Sequence, residues 1–272
     1  MPNARTAEQP ARYVHGYAPA VQRSHGQRTA ENSAAHLLAH LRPGQSLLDV
    51  GCGVGTITAD LAARVAPGRV VGVDVSEEVL ATARASAAER GVHVDLRTAD
   101  ATALPFPDGG FDVVHTHQVL QHVADPVAVL REMRRVARPG GLVAVREADF
   151  ASVSFHPALP GLRAWLDGYR AAARAAGGEP DAGARLLSWA RAAGFRDVVP
   201  SASVWTFATP ERRAWWGGTW AERVEASALT DRLRENGFDD DALARSAAGW
   251  RAWAADEDGW MTMVHGELLC RA

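Results

Sequence analysis

Cysteine is nearly missing from this chain of 272 residues: there are two, Cys52 and Cys270. That pair excludes a disulfide framework, and its spacing excludes a cysteine-based metal site, so both thiols are expected to be reduced. Long apolar runs are missing as well. No stretch approaches the roughly 18 residues that span a bilayer, and the opening MPNARTAEQPARY is too polar for a secretory leader, so a cytoplasmic protein without a membrane partner is expected. A basic excess is also absent, with a net charge of -3 and an isoelectric point near 6.4. Nothing there attracts a polyanion, and nucleic acid is not an expected partner. No internal repeat is found. What remains is a globular composition, 47% hydrophobic and 22% charged, enough for one large domain or one domain with a cap.

From Ser46 to about Val145 short β-branched runs alternate with helical stretches, the pattern of a parallel sheet covered by helices. The spacing predicts strands at Ser46–Val50, Arg69–Val75, Val92–Thr98, Phe111–His117 and Gly141–Glu147, with helices at Ile57–Val65, Glu77–Glu89 and Pro126–Ala137. A further helix is expected over Ala182–Ala193. Alternating runs at Phe195–Phe207 and Met261–Cys270 would close the sheet antiparallel. The fold class is therefore α/β, a doubly wound, mostly parallel seven-stranded sheet of Rossmann-like type with helical cap insertions. The expected division is an N-terminal helical arm or lid over 1–42 and a cofactor-binding domain over 43–210 and 259–272. The latter carries a helical insertion at 151–180, and 211–258 forms a tryptophan-rich helical cap.

In such sheets ligands sit at the carboxyl ends of the strands, near the point where strand order reverses. The loop after the first strand reads DVGCGVGT, with Asp49 ahead of Gly51, Gly53 and Gly55. Asp74 lies about 20 residues beyond, where a carboxylate can accept hydrogen bonds from both ribose hydroxyls. A nicotinamide enzyme would show the same acid. Its fingerprint, however, needs a third glycine at position 56, which is Thr56. Asp49 would also repel a pyrophosphate. A cationic nucleoside turns that repulsion into attraction: S-adenosyl-L-methionine has a ribose, an ammonium and a sulfonium, no phosphate, and a carboxylate for the amides of the turn.

The stretches DVGCGVG (49–55), Asp74, DATALPF (100–106), FDVVHTHQVLQHV (111–123) and LREMRRVARPGG (130–141) resemble the motifs of class I S-adenosylmethionine-dependent methyltransferases. They are most similar to the branch acting on quinones and other small metabolites. The resemblance spans roughly Leu37 to Val145, with a weaker echo at Leu187–Gly194. It implies that Gly51 and Gly53 approach the methionyl part, with Cys52 a small turn residue between them. It also implies that Asp74 and Val75 border the ribose, Asp100 and Ala101 the adenine, and His117 and Gln118 the ammonium. The product would be S-adenosyl-L-homocysteine. His115 is expected to pack within the sheet and His122 to tie down its loop; no metal is expected.

Tyr13 and Tyr17 in the arm could lie against the sulfonium as part of a lid. All nine tryptophans follow Trp165 inclusive, five of them in the second insertion, which suggests an apolar or aromatic small-molecule acceptor. Asp149, His117 and His25 are candidates to orient or deprotonate it, with a salt bridge to an arginine as the other reading of Asp149. The expected reaction is in-line displacement at the sulfonium methyl. A nicotinamide-dependent oxidoreductase and a non-catalytic S-adenosylmethionine-binding protein are the alternatives.

Overall fold

The computed structural model describes residues 25–272. Its centre is an eight-stranded sheet in the order β3-β2-β1-β4-β5-β8, in which β6 continues beside β8 and β7 pairs with it as well. The strands are β1 (Leu47–Val50), β2 (Val70–Asp74), β3 (Asp95–Thr98), β4 (Phe111–His117), β5 (Ala137–Ala148), β6 (Ser154–His156), β7 (Asp197–Phe207) and β8 (Trp260–Arg271). The first five run parallel, and β8 is antiparallel to β5, β6 and β7. The sheet thus has one strand more than the periodicity predicts. Three residues, Ser154–His156, are too short to show an alternation, and only pairing with Trp260–Thr262 makes them a strand.

The described helices are α1 (Ala30–Ser33), α2 (Ala35–Leu38), α3 (Thr56–Val65), α4 (Glu77–Glu89), α5 (Pro126–Val136), α6 (Pro160–Ala175), α7 (Leu186–Ala192), α8 (Pro210–Glu225), α9 (Ala228–Glu235) and α10 (Asp240–Ala255). Their starts follow local chemistry. Ser76 accepts from Val79 N at the head of α4, and Asp125 accepts from Ala128 N, with Pro126 in the first turn of α5. β4 and α4 fall where the sequence predicts them. β5 begins four residues early, because the chain leaving α5 pairs Ala137 with Phe111 before a bulge at Pro139-Gly140-Gly141. β3 begins three residues late, as Val92 N donates to Ala87 O and closes α4 instead.

Two apolar cores lie on the faces of the sheet, and a third is built by α6, α8 and α10 over β7 and β8. Trp165, Trp220, Trp250 and Trp253 are almost fully buried there. The ring centroids of Trp165 lie 4.6 Å from Trp220 and 4.7 Å from Trp250, both edge to face. Each such pair adds about 0.5–1.5 kcal/mol to the area it buries. No described helix is long and apolar enough to cross a membrane.

Candidate active site

β1 lies between β2 and β4, so the strand order reverses there and a crevice opens at the carboxyl ends. It is a cavity of about 460 Å³, within the range of about 300–1,000 Å³ typical of small-molecule sites. The glycine turn forms its floor. Gly51 and Gly53 have φ of +72° and +54°, a region that side chains avoid. A Cβ on Gly51 would strike Val119, whereas one on Gly53 would meet nothing within 4 Å. The bare side of Gly53 therefore gives a ligand direct access to backbone.

The amides of the turn are otherwise engaged, contrary to expectation. Gly51 N and Cys52 N both donate to Val73 O, Gly55 N donates to Cys52 O, and Gly53 N donates to Asp74 Oδ2 at 3.0 Å. Ser76 N donates to the other oxygen of Asp74 at 3.1 Å. The two bonds aim the Asp74 carboxylate at the cavity it lines. Burial raises the Asp74 carboxyl above its usual range, while the amides of Ser76, Gly53 and Val75 oppose the rise. Val75 next to it is 64% exposed, an apolar surface for a base. Asp100 and Ala101 border the same cavity, and Asp100 Oδ1 is held by Thr102 N and Thr102 Oγ1, each at 2.8 Å. Cys52 is buried, and burial first, then Asp49 and Asp74, pushes its thiol well up, which suits a filler rather than a nucleophile.

Asp49 is committed to the protein more fully than the charge argument supposed. Its carboxylate accepts from Thr58 Oγ1 and lies 2.7 Å from His115 Nδ1 across the β1–β4 ladder. Both Asp49 and His115 still border the cavity, so the negative charge faces a ligand with two of its lone pairs spent. The acid thus organises the sheet as well as the field.

At the end of β4, His117 is 6% exposed, and neither ring nitrogen has a hydrogen-bond partner among the described residues. Burial, then the charges of Arg28 and Arg146, hold it well below the usual imidazole range, so it is neutral near pH 7. Gln118 follows with φ of +54°, unusual for a residue with a side chain. Three bonds hold it there: Gln118 N donates to Arg146 O, Arg28 Nη2 donates to Gln118 Oε1 at 2.6 Å, and Gln118 Nε2 lies 2.9 Å from His265 Nε2. The next three amides, of Val119, Leu120 and Gln121, converge on the carboxylate of Glu147 at 2.8, 2.7 and 3.4 Å. Burial pushes the Glu147 carboxyl up to about 7 against that pull. Glu147, near the end of β5, thus has a structural task that its sequence context did not disclose.

Asp149 does not reach the cavity. Its side chain accepts from Ala151 N at 3.0 Å and caps the short turn Phe150–Ser152, while Arg170 pairs with Asp181 instead. Among the described residues Asp149 makes no ion pair, because the chain turns there and points the carboxylate into its own backbone. His25 borders the cavity, whereas Tyr13, Tyr17 and the arm before residue 25 lie outside the described residues.

Two further cavities share lining residues with the first. A narrow neck of about 30 Å³ shares His25, Arg28, Gln118 and His122 with it and is closed by Gln121, Phe150, Trp205, Trp216, Trp220, Arg223 and Met263. A vestibule of about 440 Å³ shares Arg28, Trp205 and Trp216 with the neck and is otherwise bordered by Phe207 and Trp215 and by the polar Gln27, Asn32, Glu211 and Arg212. Arg28 borders all three, with its guanidinium carbon 5.9 Å from the centroid of Trp205. Arg146 is buried against Glu267 at 3.2 Å, and its guanidinium lies 5.1 Å from the same ring. Arg28, Gln121 and Trp205 went unnoticed as site residues in the sequence. A lone arginine, an amide after a strand and one tryptophan in an alternating run carry no motif.

Comparison with known proteins agrees with this geometry. Residues 48–145 match the family described as Methyltransferase domain. An uncharacterized methyltransferase of Schizosaccharomyces pombe, C1B3.06c, is 35% identical over 94% of this chain and 95% of its own length. A demethylmenaquinone methyltransferase of Symbiobacterium thermophilum is 42% identical over 40% of this chain and 45% of its own. Among solved structures, the [4+2]-cyclase SpnF is 26% identical with a TM-score of 0.52, over 94% of this chain and 88% of that one.

Proposed function

This chain belongs to the class I S-adenosylmethionine-dependent methyltransferases, and on that premise we propose that its acceptor is a small apolar or aromatic metabolite, methylated where the first cavity meets the neck. S-adenosylmethionine is the cofactor; when bound it supplies an electrophilic sulfonium methyl, open to in-line displacement. The lining of the 460 Å³ cavity fits it. Asp74 would receive the ribose hydroxyls, Val75, Asp100 and Ala101 would border the adenine, and the open side of Gly53 would receive the methionyl chain. Asp49, His117 and Gln118 would surround its positively charged end, with His117 and His25 nearest to an acceptor. Asp149 has no part in this assignment.

The observation that carries the proposal is the set of aromatic side chains, Phe150, Trp205, Trp215, Trp216 and Trp220, that line two cavities sharing Arg28 with the first, beside the polar Asn32, Glu211 and Arg212. The aromatic part of these walls suits a flat apolar body, and the polar part suits substituents on it; a relative named for demethylmenaquinone points the same way. On this reading 211–258, with the insertion at 151–180, is the cap over the acceptor, 43–210 and 259–272 hold the cofactor, and 1–42 is the arm beside them. Alignment and exclusion of water supply most of the rate of such a transfer.

The test has two arms. Saturating S-adenosylhomocysteine should stabilise the fold by about 2.7 kcal/mol at a hundredfold excess over Kd, and NAD should not. Labelled methyl should then pass from the donor to an extractable small molecule. Transfer only to protein or nucleic acid would overturn the proposal, and binding without transfer to anything would support the non-catalytic alternative.

A further inference from the structure

Gln121 is a buried polar side chain at the edge of the site that the protein does not itself satisfy. It is 3% exposed, it borders the neck, and its Oε1 has no hydrogen-bond partner among the described residues. Its backbone is fixed from both sides, with Gln121 N on Glu147 Oε2 and Gln121 O accepting from Glu179 N at 3.0 Å. The side chain therefore starts from a rigid point. A buried acceptor left without a donor is costly and calls for an explanation. The neck offers one, since about 30 Å³ holds one small polar group, a water needing roughly 10–15 Å³ by the same measure. A ring cannot enter it, but a group projecting from a ring can.

We propose that the neck seats an acceptor hydroxyl, donated as a hydrogen bond to Gln121 Oε1, while the aromatic body carrying it rests in the vestibule against Trp205 and Trp215. This rests on the methyltransferase reading above and names the acceptor class as an aromatic alcohol of phenol type. Charge favours oxygen over nitrogen. Arg28 stands where the three cavities meet, and no carboxylate is among the described side chains bordering the neck. An amine would become more positive on methylation beside that guanidinium, whereas a phenolic oxygen becomes more negative as it loses its proton. The step balances within the site. The oxygen forms its bond to the methyl carbon as the methyl–sulfur bond breaks with its electron pair to sulfur, and the hydroxyl swings its proton away from Gln121 to the imidazole of His25, which borders both the neck and the first cavity.

The experiment uses a matched probe pair, 2-naphthol and 2-methoxynaphthalene, titrated calorimetrically into the full chain saturated with S-adenosylhomocysteine. The naphthol should bind at least tenfold more tightly than the ether, which has no proton to donate. Gln121→Met should erase that difference, Gln121→Asn should reduce it by withdrawing the oxygen, and both should keep the affinity for S-adenosylhomocysteine, which also reports that they are folded. Equal binding of the two probes to the parent, or a preference that survives in a folded Gln121 variant, overturns the role of Gln121 and leaves the aromatic acceptor standing. Binding of neither probe overturns the aromatic acceptor itself, and this inference with it.

Discussion

Asp49 Oδ1 lies 2.7 Å from His115 Nδ1, a pair set face to face by the register of β1 on β4 and closed on its other side by the hydroxyl of Thr58. Both residues are almost fully buried, so neither can turn to water if the other is changed. Asp49→Asn keeps the shape and removes the charge, and it should cost about 1–3 kcal/mol in denaturant unfolding. A double-mutant cycle with His115→Asn should return a coupling of at least about 0.5 kcal/mol. Additive losses would mean that the two side chains are neighbours without being partners.

Asp74 has a different expectation because its carboxylate borders the cavity. Asp74→Ala removes a charged acceptor from the ribose side and releases the amides of Gly53 and Ser76. Hydrogen bonds to charged groups are worth about 1.5–3 kcal/mol, so calorimetry should show affinity for S-adenosylhomocysteine falling tenfold or more. An unchanged affinity would place the ribose elsewhere.

Glu147 makes stability depend on pH with a definite sign. Its carboxyl is held at about 7 in the fold, mainly by burial, against an ordinary 4.5. Between those values the native state keeps a proton that the unfolded chain has lost. The contribution is therefore complete below about pH 4.5 and disappears as the pH rises through about 7. Glu147→Gln is neutral throughout. Its unfolding free energy relative to the parent should improve by roughly 2–3 kcal/mol between pH 5 and 8, on top of any constant offset from the altered hydrogen bonds. A difference that does not change with pH would show that Glu147 is ionised at no extra cost.

Asp149→Ala should separate a cap from a base. Loss of a side-chain cap costs typically about 1 kcal/mol, so the melting temperature should fall while turnover per folded molecule stays within about twofold of the parent. A fall in turnover of about a hundredfold, the effect of removing a general base, would return Asp149 to the chemistry.

Periodicity along the chain was enough to reveal the parallel half of the sheet, since β4 and α4 bury one face or both and their apolar spacing records it. The glycine turn and Asp74 were legible for a related reason. Positive φ restricts three alternate positions to glycine, and a carboxylate at the end of the next strand is a local feature of sequence. What could not be read were partnerships between residues far apart in the chain. Whether Asp49 serves a ligand or His115 depends on β4 lying next to β1, 66 residues away. The opposite tasks of Glu147 and Asp149, two positions apart, depend on which turn meets each carboxylate, a loop after β4 for one and its own backbone for the other. The neck is more distant still, assembled from Arg28, Gln121, Trp205, Trp220 and Met263. No spacing links these residues; the crossing of β7, β8 and α8 over the end of β4 brings them together, and the closed packing of the tryptophan core holds them there.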